Sequence, residues 1–225
     1  KESGRAKRLV VTGCLTQRYD ADLRREIPEI DATLGTGQVE EIVRAVGGEA
    51  TSLAEATPGL PTWVYDHTAP RVLSTPPWLA YLKISEGCDY TCSFCIIPTL
   101  RGRHRSRGVE DIVAEAKGLA ARGVREVVLV AQDSTRYGLD HGVRDGLAYL
   151  LRRLGRVDGL RWIRVMYAYP STLTDPILDV MASEEKVVKY VDIPLQHASE
   201  AVLKRMKRPT GRGNLLGMVH RIRER

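Results

Sequence analysis

The chain has 225 residues, of which 43% are hydrophobic, and carries a formal net charge of +6. That apolar share is enough for one large domain or two ordinary ones, and it excludes a chain disordered by composition. No apolar run approaches the roughly 20 residues that a membrane-crossing helix needs, so no membrane partner is expected.

In chain order, Arg8-Leu-Val-Val-Thr-Gly-Cys14 is an apolar, β-branched run ending at a glycine, which reads as a buried parallel strand. Ala21 to Ile27 reads as a short helix, and Ile30 to Leu34 as a second strand closed by Gly35 and Gly37. Val39, Ile42, Val43 and Val46 follow at helical spacing, giving one apolar stripe before Gly47 and Gly48 stop it. Alternating strand and helix predict a small α/β layer. Cys14 stands at the carboxyl end of its strand, where ligands gather in open α/β sheets, although a lone cysteine there is ordinarily a small buried hydrophobe. Residues 50–77 are so rich in proline and threonine that a linker is expected.

Leu79 to Ser85 is the first strand of a second region, and it leads directly into Cys88, Cys92 and Cys95. Three of the four cysteines thus lie within eight positions, at spacing C-x-x-x-C-x-x-C. Zinc and most iron-sulfur clusters take four protein ligands, so three thiolates leave one coordination position for another molecule. Zinc completed by His104 or Cys14 is the alternative, although zinc ligands usually come as two separated pairs. A disulfide is disfavoured, because no secretory signal precedes the cysteines and three cannot pair among themselves. Reduced thiols and the absence of targeting segments predict a cytoplasmic protein.

Four arginines in Arg101-Gly-Arg-His-Arg-Ser-Arg107 come next, as a phosphate patch or a solvated loop. Val109 to Ala120 forms one helix, ended by Gly123, and Glu126 to Ala131 a strand buried on both faces. Leu147, Leu150, Leu151 and Leu154 mark the next helix, Trp162 to Tyr167 the third strand, and Thr174-Asp-Pro176 a capped helix start. Val187 to Ile193 reads as the fourth strand. Such alternation implies parallel pairing with crossover helices. Reading off the strand ends gives the cysteines, then Gln132 to Gly138, Tyr167 to Pro170, and Pro194 to His197. Tyr137, Tyr167 and Tyr169 could line a cleft there, or pack with their hydroxyls in water. From Leu203 to Arg225 there are eight lysines and arginines against one acid, Glu224. This end reads as a solvated helix face, or as the basic surface of a zinc-binding nucleic-acid module. The chain opens on Lys1 and closes on Arg225 inside an apparent helix, so a piece of a longer protein is expected.

The cysteine spacing resembles the signature of the radical S-adenosylmethionine (radical SAM) enzymes. The resemblance implies a [4Fe-4S] cluster held by Cys88, Cys92 and Cys95, whose open iron binds the amino and carboxylate groups of SAM and passes an electron into the sulfonium. It places Phe94 near the adenine and Gln132 near the SAM amino group; Gln196, after the fourth strand, is a candidate for the ribose or carboxylate, the alternative for both glutamines being to satisfy a loop backbone. Six strand-helix units are usual in that family, so four predict an incomplete barrel.

The loops Ala131-Gln-Asp-Ser-Thr-Arg-Tyr-Gly138, Met166-Tyr-Ala-Tyr-Pro170 and Asp192-Ile-Pro-Leu-Gln-His-Ala-Ser199, with Val202-Leu-Lys-Arg-Met-Lys-Arg-Pro209, are similar to those of methylthiotransferases acting on an aspartate of a small-subunit ribosomal protein. The tRNA adenosine methylthiotransferases are the alternative, but their loops differ at all three strand ends. Gly13-Cys-Leu-Thr-Gln-Arg-Tyr19 resembles the third cysteine motif of the methylthiotransferase amino-terminal domain. The resemblance therefore implies a second [4Fe-4S] cluster partly held by Cys14, a second SAM as methyl donor, and an electron donor and sulfur source from outside the chain. It divides the chain into part of that amino-terminal α/β domain (1–49), a linker (50–77) and an incomplete radical SAM core (78–225).

Overall fold

A computed structural model describes residues 4–48, 61–208 and 215–225. The contacts divide the chain into two compact units, Lys1–Trp63 with Ile96–Arg103, and Val64–Cys95 with His104–Arg225.

In the first unit, β1 (Val10–Thr12) pairs in parallel with β2 (Ala32–Leu34), in the register Val10 to Ala32 and Thr12 to Leu34. Their connection is α1 (Cys14–Glu26), seven residues longer at its start than the pattern predicts. Gly13 turns the strand into the helix at φ 111°, a conformation that side chains with a Cβ rarely adopt. Thr16 Oγ1 then lies within hydrogen-bond distance of the carbonyls of Gly13 and Leu34, at 2.8 and 2.5 Å. Tyr19 leaves the helical region at φ −129°, so the legible helix from Ala21 is only the part beyond a kink. After a 3₁₀ turn (Val39–Glu41) comes α2 (Ile42–Gly47). Here the expected stripe is corrected. Ile42 and Ala45 face Ala32 and Leu34, whereas Val39, Val43 and Val46 are exposed, because two short strands offer too little surface for the wider face. The short helix α3 (Ile97–Arg101) completes the unit and is held by Thr36 Oγ1 donating to the Leu100 carbonyl at 2.8 Å.

The second unit is built on β3 (Leu79–Lys83). Just beyond it, β4 (Ser85–Glu86) pairs antiparallel with β5 (Arg105–Ser106), a two-rung ribbon. Next are α4 (Val109–Ala121), β6 (Glu126–Val130), α5 (Gly146–Gly155) and β7 (Trp162–Val165). The three long strands form a parallel sheet in the order β3-β6-β7. Parallel neighbours need long crossovers, which the helices supply. Leu82, Leu129 and Ile163 from the sheet, Ile112 and Ala116 from α4, and Leu150, Leu151 and Leu154 from α5 are fully buried in one core. Each such leucine or isoleucine contributes about 1.5–3 kcal/mol relative to exposure. The chain is therefore α/β with parallel sheets.

The fourth predicted strand is corrected. Val187 makes one parallel bridge to Ile163, and no strand is present from Val187 to Ile193. Tyr190 donates its N–H to the Val188 carbonyl at 2.8 Å, a turn that takes the chain off the ladder after one rung. The β-branched composition of the run satisfies strand propensity, but a strand also needs a ladder to extend.

Helix α6 (Asp175–Ser183) starts at Thr174 as expected, but that hydroxyl bonds Asp145 Oδ1 at 2.6 Å instead of capping. Helices α7 (Glu200–Arg205) and α8 (Leu215–Arg223) follow. The linker expectation falls partly on residues 50–60, outside the described residues; 61–77 contain no helix or strand. Among the described residues, no helix is long and apolar enough to cross a membrane.

Candidate functional site

Cys88, Cys92 and Cys95 lie on the loop that leaves β4, after a turn at Gly87 (φ 82°), and all three are free thiols. The ribbon β4/β5 holds the two ends of this excursion together. Inside it, Cys95 donates its N–H to the Cys92 carbonyl at 3.0 Å, and Ser93 donates to the Met206 carbonyl beyond α7 at 3.0 Å. Cys92 is buried, while Cys88 and Cys95 are partly exposed.

A stack of side chains packs on this loop. Tyr90 lies against Tyr169 with ring centroids 3.9 Å apart and planes 10° from parallel. Arg136 covers the Tyr90 ring at 5.4 Å and Arg208 the Tyr169 ring at 3.9 Å. Tyr169 Oη is 3.7 Å from Cys92 Sγ, and Arg208 Nη1 points at the same sulfur from 3.9 Å. Arg136 also bonds Asp89 Oδ2 at 2.9 Å, and Asp89 Oδ1 accepts the His104 N–H at 3.0 Å.

Asp133 follows β6 and is fully buried, accepting from the Thr135 N–H at 3.0 Å and from its hydroxyl at 2.5 Å. Burial raises its pKa against those bonds. Burial also raises the Cys88 thiol, with the Asp133 carboxylate and the other two sulfurs adding in the same direction.

The residues expected around a cofactor fall in different settings. Gln132 is half-buried, and its Oε1 is shielded from water with no hydrogen-bond partner among the described residues. A buried carbonyl oxygen left so is costly unless a donor arrives. Phe94 is 51% exposed. Gln196, at φ 71°, lines an apolar cavity of about 660 Å³ with Leu195, His197 and Val219. Of the tyrosines, Tyr137 is buried and donates to the Arg107 carbonyl at 2.7 Å, so it packs rather than faces a cleft; Tyr167 is exposed. The arginine run is not one patch. Arg107 is buried between Asp111 and Glu115, at 2.6 and 2.7 Å.

The three sulfurs are not drawn together as a tetrahedral zinc site would hold them. Tetrahedral zinc with Zn–S bonds near 2.3 Å draws its sulfurs to within about 4 Å of one another. Among the described residues, the His, Cys, Asp or Glu trio whose ligand atoms all lie within 4.8 Å is Asp66, His67 and Asp111, not the cysteines. His104, the proposed fourth zinc ligand, has Nε2 3.2 Å from Ser106 Oγ. In the first unit, Cys14 is the first residue of α1, and Arg101 Nη2 donates to its sulfur at 3.6 Å.

Sequence reasoning missed Tyr90, Asp133, Arg136 and Arg208 as members of the site. Asp133 and Arg136 lie inside the quoted loop 131–138 and Arg208 inside the run 202–209, but nothing in their spacing indicates that they meet around Tyr169.

Comparison with known proteins adds three findings. The model of the radical SAM superfamily matches residues 82–225. The ribosomal protein uS12 methylthiotransferase RimO of Symbiobacterium thermophilum is 49% identical over 225 residues, covering 100% of this chain and 46% of that protein. Its counterpart in Heliobacterium modesticaldum is 47% identical, covering 100% and 49%. The one in Koribacter versatilis is 43% identical, covering 92% and 50%. The chain thus spans about half the length of the curated relatives it matches. Among solved structures, the cobalamin-dependent S-adenosylmethionine radical enzyme OxsB superposes with a TM-score of 0.58 at 13% identity, over 90% of this chain and 33% of that one. The radical S-adenosylmethionine methyltransferase TsrM of Kitasatospora setae gives 0.52 at 22% identity, over 66% and 29%. At these identities the likeness concerns the fold.

Proposed function

The chain belongs to the radical SAM superfamily, and from that premise we propose that the protein is a methylthiotransferase acting on an aspartate β-carbon of ribosomal protein uS12. The observation that carries this reading is the 43–49% identity to RimO proteins across at least nine-tenths of the chain. The site agrees with it: three unpaired cysteines on one loop, at the end of the first strand of a parallel sheet.

In this reading Cys88, Cys92 and Cys95 hold a [4Fe-4S] cluster, which when bound supplies the electron for reductive cleavage of SAM. Gln132 offers its orphaned Oε1 to the SAM ammonium, an acceptor for a cationic donor. Phe94 stacks by the adenine from the surface of the loop, and Gln196 meets the ribose or carboxylate at the cavity beside His197. The stacked Tyr90 and Tyr169 keep water from the inner side of the loop, where a radical would otherwise be quenched. Residues 1–49 are part of the methylthiotransferase amino-terminal domain, in which Cys14 is one ligand of a second cluster. Residues 50–77 are the linker, and 78–225 belong to the radical SAM core. A cytoplasmic site of action follows from a ribosomal-protein substrate.

The test is mass spectrometry of uS12 after anaerobic incubation with the full-length protein, SAM, a sulfide source and a one-electron reductant. A methylthio group on aspartate is expected. Methylthiolation of tRNA adenosine instead would move the assignment to the tRNA-modifying branch.

A further inference from the structure

Among the described residues, Arg208 is a buried cation without an anion. It is 8% exposed, and its partners among the described residues are a carbonyl, a sulfur and a ring, with no carboxylate. Its Nη2 donates to the Pro194 carbonyl at 2.6 Å, and Nε is buried with no partner. Its plane lies 3.9 Å from the Tyr169 ring centre, which supplies a diffuse negative face but no counter-charge. A guanidinium taken from water is destabilising unless an opposite charge meets it. Among the described residues, its other polar neighbour is the buried sulfur of Cys92, 3.9 Å from Nη1 and also 3.7 Å from Tyr169 Oη. The Arg208 guanidinium and the Tyr169 hydroxyl, on two separate segments, therefore converge on one of the three sulfurs.

We infer that Arg208 is the counter-charge of the cluster held through Cys92, a positioning residue that sets the cluster's reduction potential. The inference rests on the preceding assignment of the three cysteines. The potential of an iron-sulfur centre follows its net charge, the hydrogen bonds to its sulfurs and its exposure. A fixed cation stabilises the state with one more electron, so Arg208 raises the potential and eases uptake of an electron from the external reductant. The other cysteines lack this arrangement: among the described residues no arginine is seen to donate to Cys88 or Cys95.

The full-length protein, reconstituted anaerobically with iron and sulfide, is titrated with dithionite while the reduced cluster is followed by electron paramagnetic resonance. Cys14→Ala is carried in every sample to suppress signal from a second cluster. With Arg208→Gln, iron and sulfide are retained and the reduction equilibrium falls about tenfold, ~59 mV for a one-electron couple. Arg208→Lys, which keeps the charge, stays within about threefold of the parent. A parental potential in Arg208→Gln overturns the inference and leaves the cysteine assignment standing. If Arg208→Gln loses its iron, Arg208→Lys decides: iron retained at the parental potential supports the counter-charge, and iron lost shows a staple for Pro194 and Tyr169 and overturns it. A parent that takes up no iron at Cys88, Cys92 and Cys95 overturns the cysteine assignment itself, and the inference with it.

Discussion

Arg107 donates from Nη1 to Glu115 Oε2 at 2.7 Å, both side chains being less than a tenth exposed. The same guanidinium meets Asp111 Oδ2 at 2.6 Å, and Glu115 is shared with Arg71 at 2.6 Å. An interior charge network of this kind is costly to break from one side, because the partner charges stay buried. Arg107→Met should destabilise the protein by about 3–5 kcal/mol in urea unfolding. Glu110→Ala, which removes the exposed pair with Arg153, should leave the midpoint unchanged.

Gly146 opens α5 against the turn at Gly138. A Cβ there would stand 2.4 Å from the Tyr137 carbonyl oxygen and 3.1 Å from Gly138 Cα, both backbone atoms. Gly146→Ala should lower stability by about 1–3 kcal/mol. Gly118 lies inside α4 with nothing within 4 Å of its Cβ position, so Gly118→Ala should raise stability by about 0.5–1 kcal/mol. Thermal unfolding of the two variants checks both signs.

The surroundings of His104 favour its neutral form. Ser106 Oγ donates to Asp140 Oδ1 at 2.6 Å, so it can only accept from His104 Nε2 at 3.2 Å, and Nδ1 is left unprotonated, buried and unpartnered among the described residues. Burial lowers the His104 pKa, with Asp140 opposing. A group with a depressed folded pKa binds its proton more readily in the unfolded chain. Stability should therefore be full above the unfolded value near 6.5 and fall with pH below it, until the folded value is reached, with a slope of at most ~1.4 kcal/mol per pH unit. His104→Gln should remove this slope in urea titrations at pH 5 to 7. An unchanged slope would mean that another group is responsible.

Cys14, under the second-cluster reading, separates two activities. Replacing it by alanine in the full-length protein should leave SAM cleavage intact and abolish methylthio insertion, measured as 5′-deoxyadenosine formed against modified uS12. Loss of both activities together would count against separate clusters.

The cysteine trio and the strands at 79–85, 126–131 and 162–167 were legible because each is a local pattern: a fixed spacing, or an apolar run too short for a helix. The run 187–193 misled for the same reason, since its composition is that of a strand while its pairing is decided by what lies beside it. The ribbon of Ser85-Glu86 with Arg105-Ser106 could not be read, being two polar residues a side with no alternation to detect. The stack of Arg136, Tyr90, Tyr169 and Arg208 joins positions from four separate segments. Only the fold brings them together, and a periodicity within one element cannot signal it.

Because β4 and β5 fasten the base of the cysteine excursion with main-chain bonds, the polypeptide itself bears the entropy of closing that loop. In the proposed reading, oxidative loss of the cluster would therefore leave a receptacle still shaped to be refilled. Repair in place would then need no new round of folding.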